Sequence, residues 1–336
     1  MPLMNAIQVA GPGADLEMVQ TEIPEPGERE VLLKVEACGV CHGDAIPLHG
    51  RYPGLSYPRI PGHEVVGVVA TRGGGVSGWD VGTRVGVGWS GGHCMVCEAC
   101  AEGDYQSCED SRVTGLSVDG GYAEYMVARS SALVSIPDEL SSANAAPLLC
   151  AGATTFSALK HSGAVGGDTV AIHGIGGLGH LALQYASRLG YCTVALSRGP
   201  QKERLARELG AHAYVDTDAT DAAAALQELG GAKVILCTAP SVEAIAGLIN
   251  GLGMNGQLII VAGLTEPLSF YPGQLFRGGR SIKGWHGQRP ADAVEFSMCF
   301  SIMPMIETFP LERAAEAFEK MMSATVRFRS VLTVGA

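Results

Sequence analysis

The stretch from 169 to 261 constrains this chain more than any other part of it. Thr169-Val170-Ala171-Ile172-His173 is a mainly apolar run, and Gly174-Ile175-Gly176-Gly177-Leu178-Gly179 follows it directly. Past the glycines the apolar residues of 178–189 recur at helical spacing. The alternation continues through strand 193–197, helix 201–209, strand 213–215, helix 222–229, strand 233–237, helix 242–252 and strand 257–261. Parallel strands need crossover helices, and strands apolar along their whole length must be covered on both faces. The pattern predicts an α/β fold built on a doubly wound parallel sheet.

G-x-G-x-x-G alone is a weak signal, but between a strand and a helix it becomes specific. Gly174 permits the tight turn, Gly176 lets the backbone approach a pyrophosphate, and Gly179 lets helix pack on strand. Gly177 and Leu178 complete the turn, whose free N–H groups suit an anion. A dinucleotide coenzyme is expected. An NAD site usually carries Asp or Glu at the end of the second strand; here Ser197-Arg198 stands there. With Arg198 and Lys202 available to a 2′-phosphate, NADP(H) is the expected coenzyme. NAD(H) is the alternative, with both cations as ordinary surface charges.

Residues before 150 follow another rhythm. Apolar runs 31–35, 65–69 and 84–87 are short and punctuated by Gly, Pro, Asp and Ser, as in an all-β, barrel-like domain. After 287 the pattern changes again, to an amphipathic helix over 311–322 and a closing strand over 327–333. The expected divisions are 1–150, 151–287 and 288–336.

The formal net charge is −11 and the sequence pI about 5.3, which argues against nucleic acid and anionic membranes as partners. No apolar stretch approaches the ~20 residues of a bilayer span. The first residues lack a basic segment followed by an apolar core, so no signal peptide is read and a cytoplasmic location is expected.

Ten cysteines are present, and four of them form Cys94-x2-Cys97-x2-Cys100-x7-Cys108. Four thiolates on one loop are the closed, tetrahedral pattern of a structural zinc. Cys41, His63 and Cys150 are dispersed, and spacing alone does not group them; Cys41 and Cys150 pass equally as small buried apolar residues.

Five motifs occur in a telling order: Gly39-Val40-Cys41-His42-Gly43-Asp44, Pro61-Gly62-His63-Glu64, the four-cysteine loop, Leu149-Cys150-Ala151-Gly152 and Gly174 to Gly179. In these the chain resembles the zinc-containing medium-chain alcohol dehydrogenases, in their microbial branch. The resemblance implies a GroES-like catalytic domain, a Rossmann coenzyme domain, a tail that returns to the catalytic domain, and an active site in the cleft between the domains. It implies Cys41, His63 and Cys150 as catalytic zinc ligands, with Glu64 as a carboxylate that visits the metal. Cys94, Cys97, Cys100 and Cys108 would hold a second zinc, giving two per chain. Asp44 would orient the ligating histidine, His42 would approach the coenzyme pyrophosphate, and Thr154 the nicotinamide. Tyr52 and Trp89 resemble substrate-pocket positions, and read equally as core aromatics.

One departure stands out. Gly43 replaces the usual Ser or Thr whose hydroxyl starts the proton relay. Water or His49 would take over, though His49 reads equally as a turn residue; the glycine would also free space beside the zinc. The expected chemistry is hydride transfer between a primary, apolar or aromatic alcohol or its aldehyde and the coenzyme, in a homotetramer or homodimer paired through the coenzyme domain. The alternatives are a cinnamyl- or polyol-type dehydrogenase, or a zinc-stabilised NADP(H)-binding protein without turnover.

Overall fold

Strand Glu30–Gly39 is the spine of the first half of the molecule. Apart from its first residue, Lys34 and Glu36 its side chains are buried, because both faces are covered. In this computed structural model, which describes residues 2–335 apart from the side chain of Gln106, that strand lies at the centre of a seven-stranded sheet. The spatial order is Ile306–Pro310, Arg329–Thr333, Glu30–Gly39, Val65–Arg72, Arg84–Val87 and Leu133–Ser135, with Tyr125–Arg129 also pairing Glu30–Gly39. A hairpin of Leu3–Val9 and Leu16–Glu22 adds a second small sheet. Leu33, Val35, Val65, Val69, Val85, Met126, Phe309 and Leu332 share one core. Each such side chain contributes roughly 1.5–3 kcal/mol on full burial. This core carries the two strand ends that present Cys41 and His63.

The chain divides into two compact units, Met1–Cys150 with Pro304–Ala336, and Ala151–Met303. The second holds a six-stranded parallel sheet in the order Ala213–Asp216, Cys192–Ser197, Thr169–His173, Ala232–Cys237, Leu252–Ile260 and Ser281–Gly284. Ala171, Leu196, Ile235 and Leu258 lie in its core, with crossover helices closing over them. This is the α/β architecture the alternation predicts.

The differences lie at element ends. Helix 242–252 stops at Leu248, a 3-10 turn spans Ile249–Gly251, and Leu252 already begins the next strand. Asn250-Gly251 breaks the helix where the apolar pattern alone ran on. Strand Ser281–Gly284, helix Ala151–Lys160 and helix Pro290–Phe300 had no clear periodicity. The last of these corrects the division at 287: residues 288–303 belong with the parallel sheet. Phe296 packs on Phe156 with ring centroids 4.7 Å apart, and the Tyr185 hydroxyl meets Ser297 Oγ at 2.8 Å. No helix among the described residues is long and apolar enough to cross a membrane.

Candidate metal centres and coenzyme turn

Strand Glu30–Gly39 ends in Val40-Cys41, and the chain turns at once through a 3-10 segment, His42–Asp44. Asp44 makes that turn: its Oδ2 accepts from the Cys41 amide at 2.8 Å and from the Tyr122 hydroxyl at 2.9 Å. Its Oδ1 lies 2.8 Å from His63 Nδ1. Asp44 is almost wholly buried and accepts from His63, so Nδ1 carries a hydrogen and Nε2 is the nitrogen that faces away from Asp44 and would bind a metal on losing its proton. That Nε2 is buried and has no hydrogen-bond partner.

Cys150 arrives from the far side, after a 3-10 segment Ala146–Leu149, and its sulfur lies 3.9 Å from that of Cys41. One ligand atom each from Cys41, His63, Glu64 and Cys150 lie within 4.8 Å of one another. The Cys150 thiol shares its proton with Cys41, which holds Cys41 well below and Cys150 well above the usual thiol pKa. Burial opposes a charge on His63. The Asp44 carboxylate and the Cys41 sulfur outweigh it and hold the imidazole well above its usual pKa. Two sulfurs and an unpartnered imidazole nitrogen, crowded and dry, suit a divalent, borderline-soft ion. This donor set fits zinc.

Glu64 is fully buried, and Arg329 binds its Oε1. Its other oxygen, Oε2, is buried without a hydrogen-bond partner, and one carboxylate oxygen of Glu64 belongs to the same cluster. Burial pushes the carboxyl up to about 7 against the pull of the guanidinium. Arg329 and Tyr122 were absent from the sequence reading. The one available signal for Arg329 was an arginine inside the closing run Arg329-Ser330-Val331-Leu332.

The second cluster sits on a loop beyond strand Arg84–Val87, stiffened by a short helix, Glu98–Ala101, and a 3-10 turn, Tyr105–Ser107. The sulfurs of Cys94, Cys97, Cys100 and Cys108 lie within 4.8 Å of one another and form no disulfide. The Cys94–Cys108 and Cys94–Cys100 separations are 3.7 and 3.9 Å. Backbone amides of Val96 and Cys97 hold Cys94 down at about 6, while burial pushes Cys100 up to about 12. Met95 and Val96 in the same loop are exposed, so little apolar packing holds it.

Trp89 meets His63 edge to face, with ring centroids 4.9 Å apart. This corrects the expectation that Gly43 frees space: a Cβ there would lie 2.9 Å from both His63 Cε1 and Trp89 Cζ3. His42 and His49 are exposed, and Tyr52 is half-buried. No hydrogen bond, ion pair or ring contact among the described residues ties these three to the Cys41 cluster.

In the other unit the glycine turn runs into helix Gly179–Arg188, with Leu178 at its cap. A Cβ on Gly179 would stand 1.8 Å from the Gly174 carbonyl oxygen, so helix and strand meet there only with glycine. A Cβ on Gly176 would touch nothing within 4 Å. Packing therefore does not demand that glycine, and the open backbone suits a ligand's approach. Beside the turn Arg198 is exposed, Ser197 is buried, and Lys202 donates to the Ile175 carbonyl at 2.8 Å. A carboxylate from the neighbouring strand also reaches this edge. Asp216 pairs in register with Ser197, and its Oδ1 accepts from the amides of Gly199 at 2.8 Å and Asp218 at 3.0 Å. Thr154 is half-buried in helix Ala151–Lys160 and borders Gly287, where a Cβ would lie 2.8 Å from its hydroxyl.

Two family descriptions match the chain, an alcohol dehydrogenase GroES-like domain over residues 27–138 and a zinc-binding dehydrogenase over 177–300. The alcohol dehydrogenase notN of Aspergillus sp. (strain MF297-2) is 45% identical over 327 residues, spanning 96% of this chain and 95% of that one. An alcohol dehydrogenase of Geobacillus stearothermophilus is 39% identical over 325 residues, 95% and 96% of the two chains. A cinnamyl alcohol dehydrogenase of Sorghum bicolor superposes with a TM-score of 0.88 at 27% identity, covering 99% of this chain and 98% of its own.

Proposed function

Because the chain belongs to the zinc-dependent medium-chain dehydrogenase/reductase family and is an oxidoreductase of the alcohol dehydrogenase kind, we propose that it interconverts primary, apolar or aromatic alcohols and their aldehydes with NADP(H). The observation that carries this reading is the buried, unpartnered Nε2 of His63, aimed by Asp44 into the group that holds Cys41 and Cys150. These three residues would hold zinc, with Glu64 as an occasional fourth ligand. Cys94, Cys97, Cys100 and Cys108 would hold a second zinc, for two per chain. Bound zinc supplies Lewis acidity toward the alcohol or carbonyl oxygen, and bound nicotinamide supplies or takes the hydride.

The chain's own residues do the rest. Asp44 holds the proton on Nδ1 of His63 and so keeps Nε2 available. The Arg329 guanidinium holds Oε1 of Glu64, while Oε2 has no hydrogen-bond partner; the carboxylate would serve as an occasional ligand. Gly43 offers no hydroxyl and His49 is exposed, which favours water as the acceptor of the alcohol proton. Gly174, Gly176, Gly177, Leu178 and Gly179 would cradle the pyrophosphate, with Thr154 toward the nicotinamide. Ser197 and Arg198 support the preference for NADP(H). Asp216 works against it, although its Oδ1 is already spent on two backbone amides. Trp89, beside His63, supports a flat apolar wall for the substrate, with Tyr52 as a second candidate. The likeness to the Sorghum enzyme favours a second reading, a cinnamyl-type alcohol.

A homodimer or homotetramer is also proposed. Strand Ser281–Gly284 lies at an edge of its sheet, and Tyr271, Phe276 and Met254 in the same unit are exposed.

The test is the initial rate of benzaldehyde and cinnamaldehyde reduction with NADPH and with NADH, before and after a strong zinc chelator. Chelator-sensitive rates with NADPH ahead support the whole reading. NADH ahead overturns the coenzyme preference alone. Rates that ignore the chelator, with metal loss verified, overturn the zinc assignment.

A further inference from the structure

We infer that His180 is a positioning residue for the glycine turn: its imidazole holds the Gly176 carbonyl back, so that the turn offers amides alone to an anion. The inference rests on the reading of Gly174 to Gly179 as the pyrophosphate cradle. His180 lies in the first turn of helix Gly179–Arg188 and is fully buried. Its Nδ1 lies 2.9 Å from the Gly176 carbonyl oxygen. A carbonyl oxygen can only accept, so Nδ1 carries a hydrogen and donates it. The His180 amide donates to the same oxygen at 3.1 Å. Two donors from one residue thus fix that oxygen toward the helix. A side chain so buried does not reach a ligand at the surface of the turn; it acts through the Gly176 peptide.

The neighbouring carbonyls are held in the same way. Thr238 Oγ1 donates to the carbonyls of His173 at 2.9 Å and Gly174 at 3.0 Å. The Lys202 ammonium donates to that of Ile175 at 2.8 Å. Three side chains therefore tether four consecutive carbonyls. A trans peptide is planar, with its N–H opposed to its C=O. Tethering the carbonyls of Gly174, Ile175 and Gly176 sets the direction of the amides of Ile175, Gly176 and Gly177. Among the described residues none of these three amides donates to a backbone carbonyl. A carbonyl turned into the cradle would set its negative end against a phosphate oxygen, and a peptide free to rock would lose that freedom on binding. The tethers remove both costs before the coenzyme arrives.

Fluorescence titration of the enzyme with NADPH and with NADH, alongside thermal unfolding, tests the role of His180. His180→Leu keeps an apolar side chain of similar reach but no donor. It should weaken both coenzymes about ten-fold, close to the worth of one hydrogen bond, and leave their ratio unchanged. Its unfolding temperature should stay within a few degrees of wild type. His180→Asn, whose Nδ2 can stand where Nδ1 does, should keep wild-type affinity. Thr238→Val should weaken both coenzymes in the same direction as His180→Leu. Wild-type affinity in His180→Leu overturns the inference, as does a loss confined to NADPH or a loss that His180→Asn shares in full. Affinity losses that merely track unfolding temperature across the three variants overturn it too. Unchanged coenzyme affinity in Gly176→Ala overturns instead the pyrophosphate reading on which it rests.

Discussion

Glu64 and Arg329, 265 residues apart in the chain, form a buried ion pair beside Cys41 and Cys150. Arg329 sits on the strand that pairs with the end of Glu30–Gly39, so the last strand of the chain completes the surroundings of a site opened by the third. Removing one partner leaves the other charge buried without compensation. Arg329→Met should cost about 3–5 kcal/mol of stability and weaken metal retention. Adding Glu64→Gln should recover part of the stability, read as thermal unfolding of both variants. Equal stability of Arg329→Met and wild type would show that the pair is dispensable.

Cys150→Ser should abolish turnover and remove one zinc per chain by elemental analysis, while the unfolding temperature stays within a few degrees of wild type. The residue holds one corner of an open site and lies outside the apolar cores. A large fall in unfolding temperature would point to a structural role for this sulfur instead.

Cys100→Ser should show the opposite order. Four sulfurs and little apolar packing hold that loop, so its metal supplies the local stability. Soluble yield and unfolding temperature should fall before specific activity per folded molecule does. A stable, fully active Cys100→Ser protein would exclude a structural zinc there.

Arg198→Ala should raise KM for NADPH about ten-fold, the size of one lost charge-assisted hydrogen bond, and leave KM for NADH nearly unchanged. Ser197→Asp should shift preference toward NADH, by accepting from a ribose hydroxyl and repelling a 2′-phosphate. Unchanged ratios in both variants would move coenzyme selection elsewhere.

Gly179→Ala would force a methyl against the Gly174 carbonyl, 1.8 Å from the ideal Cβ position. Helix Gly179–Arg188 must then lift from the strand, and both the unfolding temperature and coenzyme affinity should fall. Gly176→Ala meets no protein atom, so it should spare stability and weaken only coenzyme binding. Fluorescence titration with NADPH alongside thermal unfolding separates the two.

What the sequence determined by itself was local or repetitive. The period of 169–261 dictated a parallel sheet, because a strand apolar on both faces has to be covered on both. Gly174, Gly176 and Gly179 carried their turn in their own spacing, and the four-cysteine loop carried its cluster within fifteen residues. Tertiary structure decided what depends on distant segments meeting. Cys41, His63 and Cys150 converge only because two strand ends and a 3-10 turn share one core; resemblance, not spacing, had grouped them. Arg329 reached Glu64 through strand pairing, and Asp216 came beside Ser197 through register in a parallel sheet. Helix Pro290–Phe300 joined the second unit through the packing of Phe296, which no periodicity announced. Gly43 shows the same limit most directly. In sequence it was a missing hydroxyl and free space, whereas in the fold the rings of His63 and Trp89, from two other segments, border that position. Backbone periodicity is written along the chain, but side-chain volume competes only once remote segments are packed together.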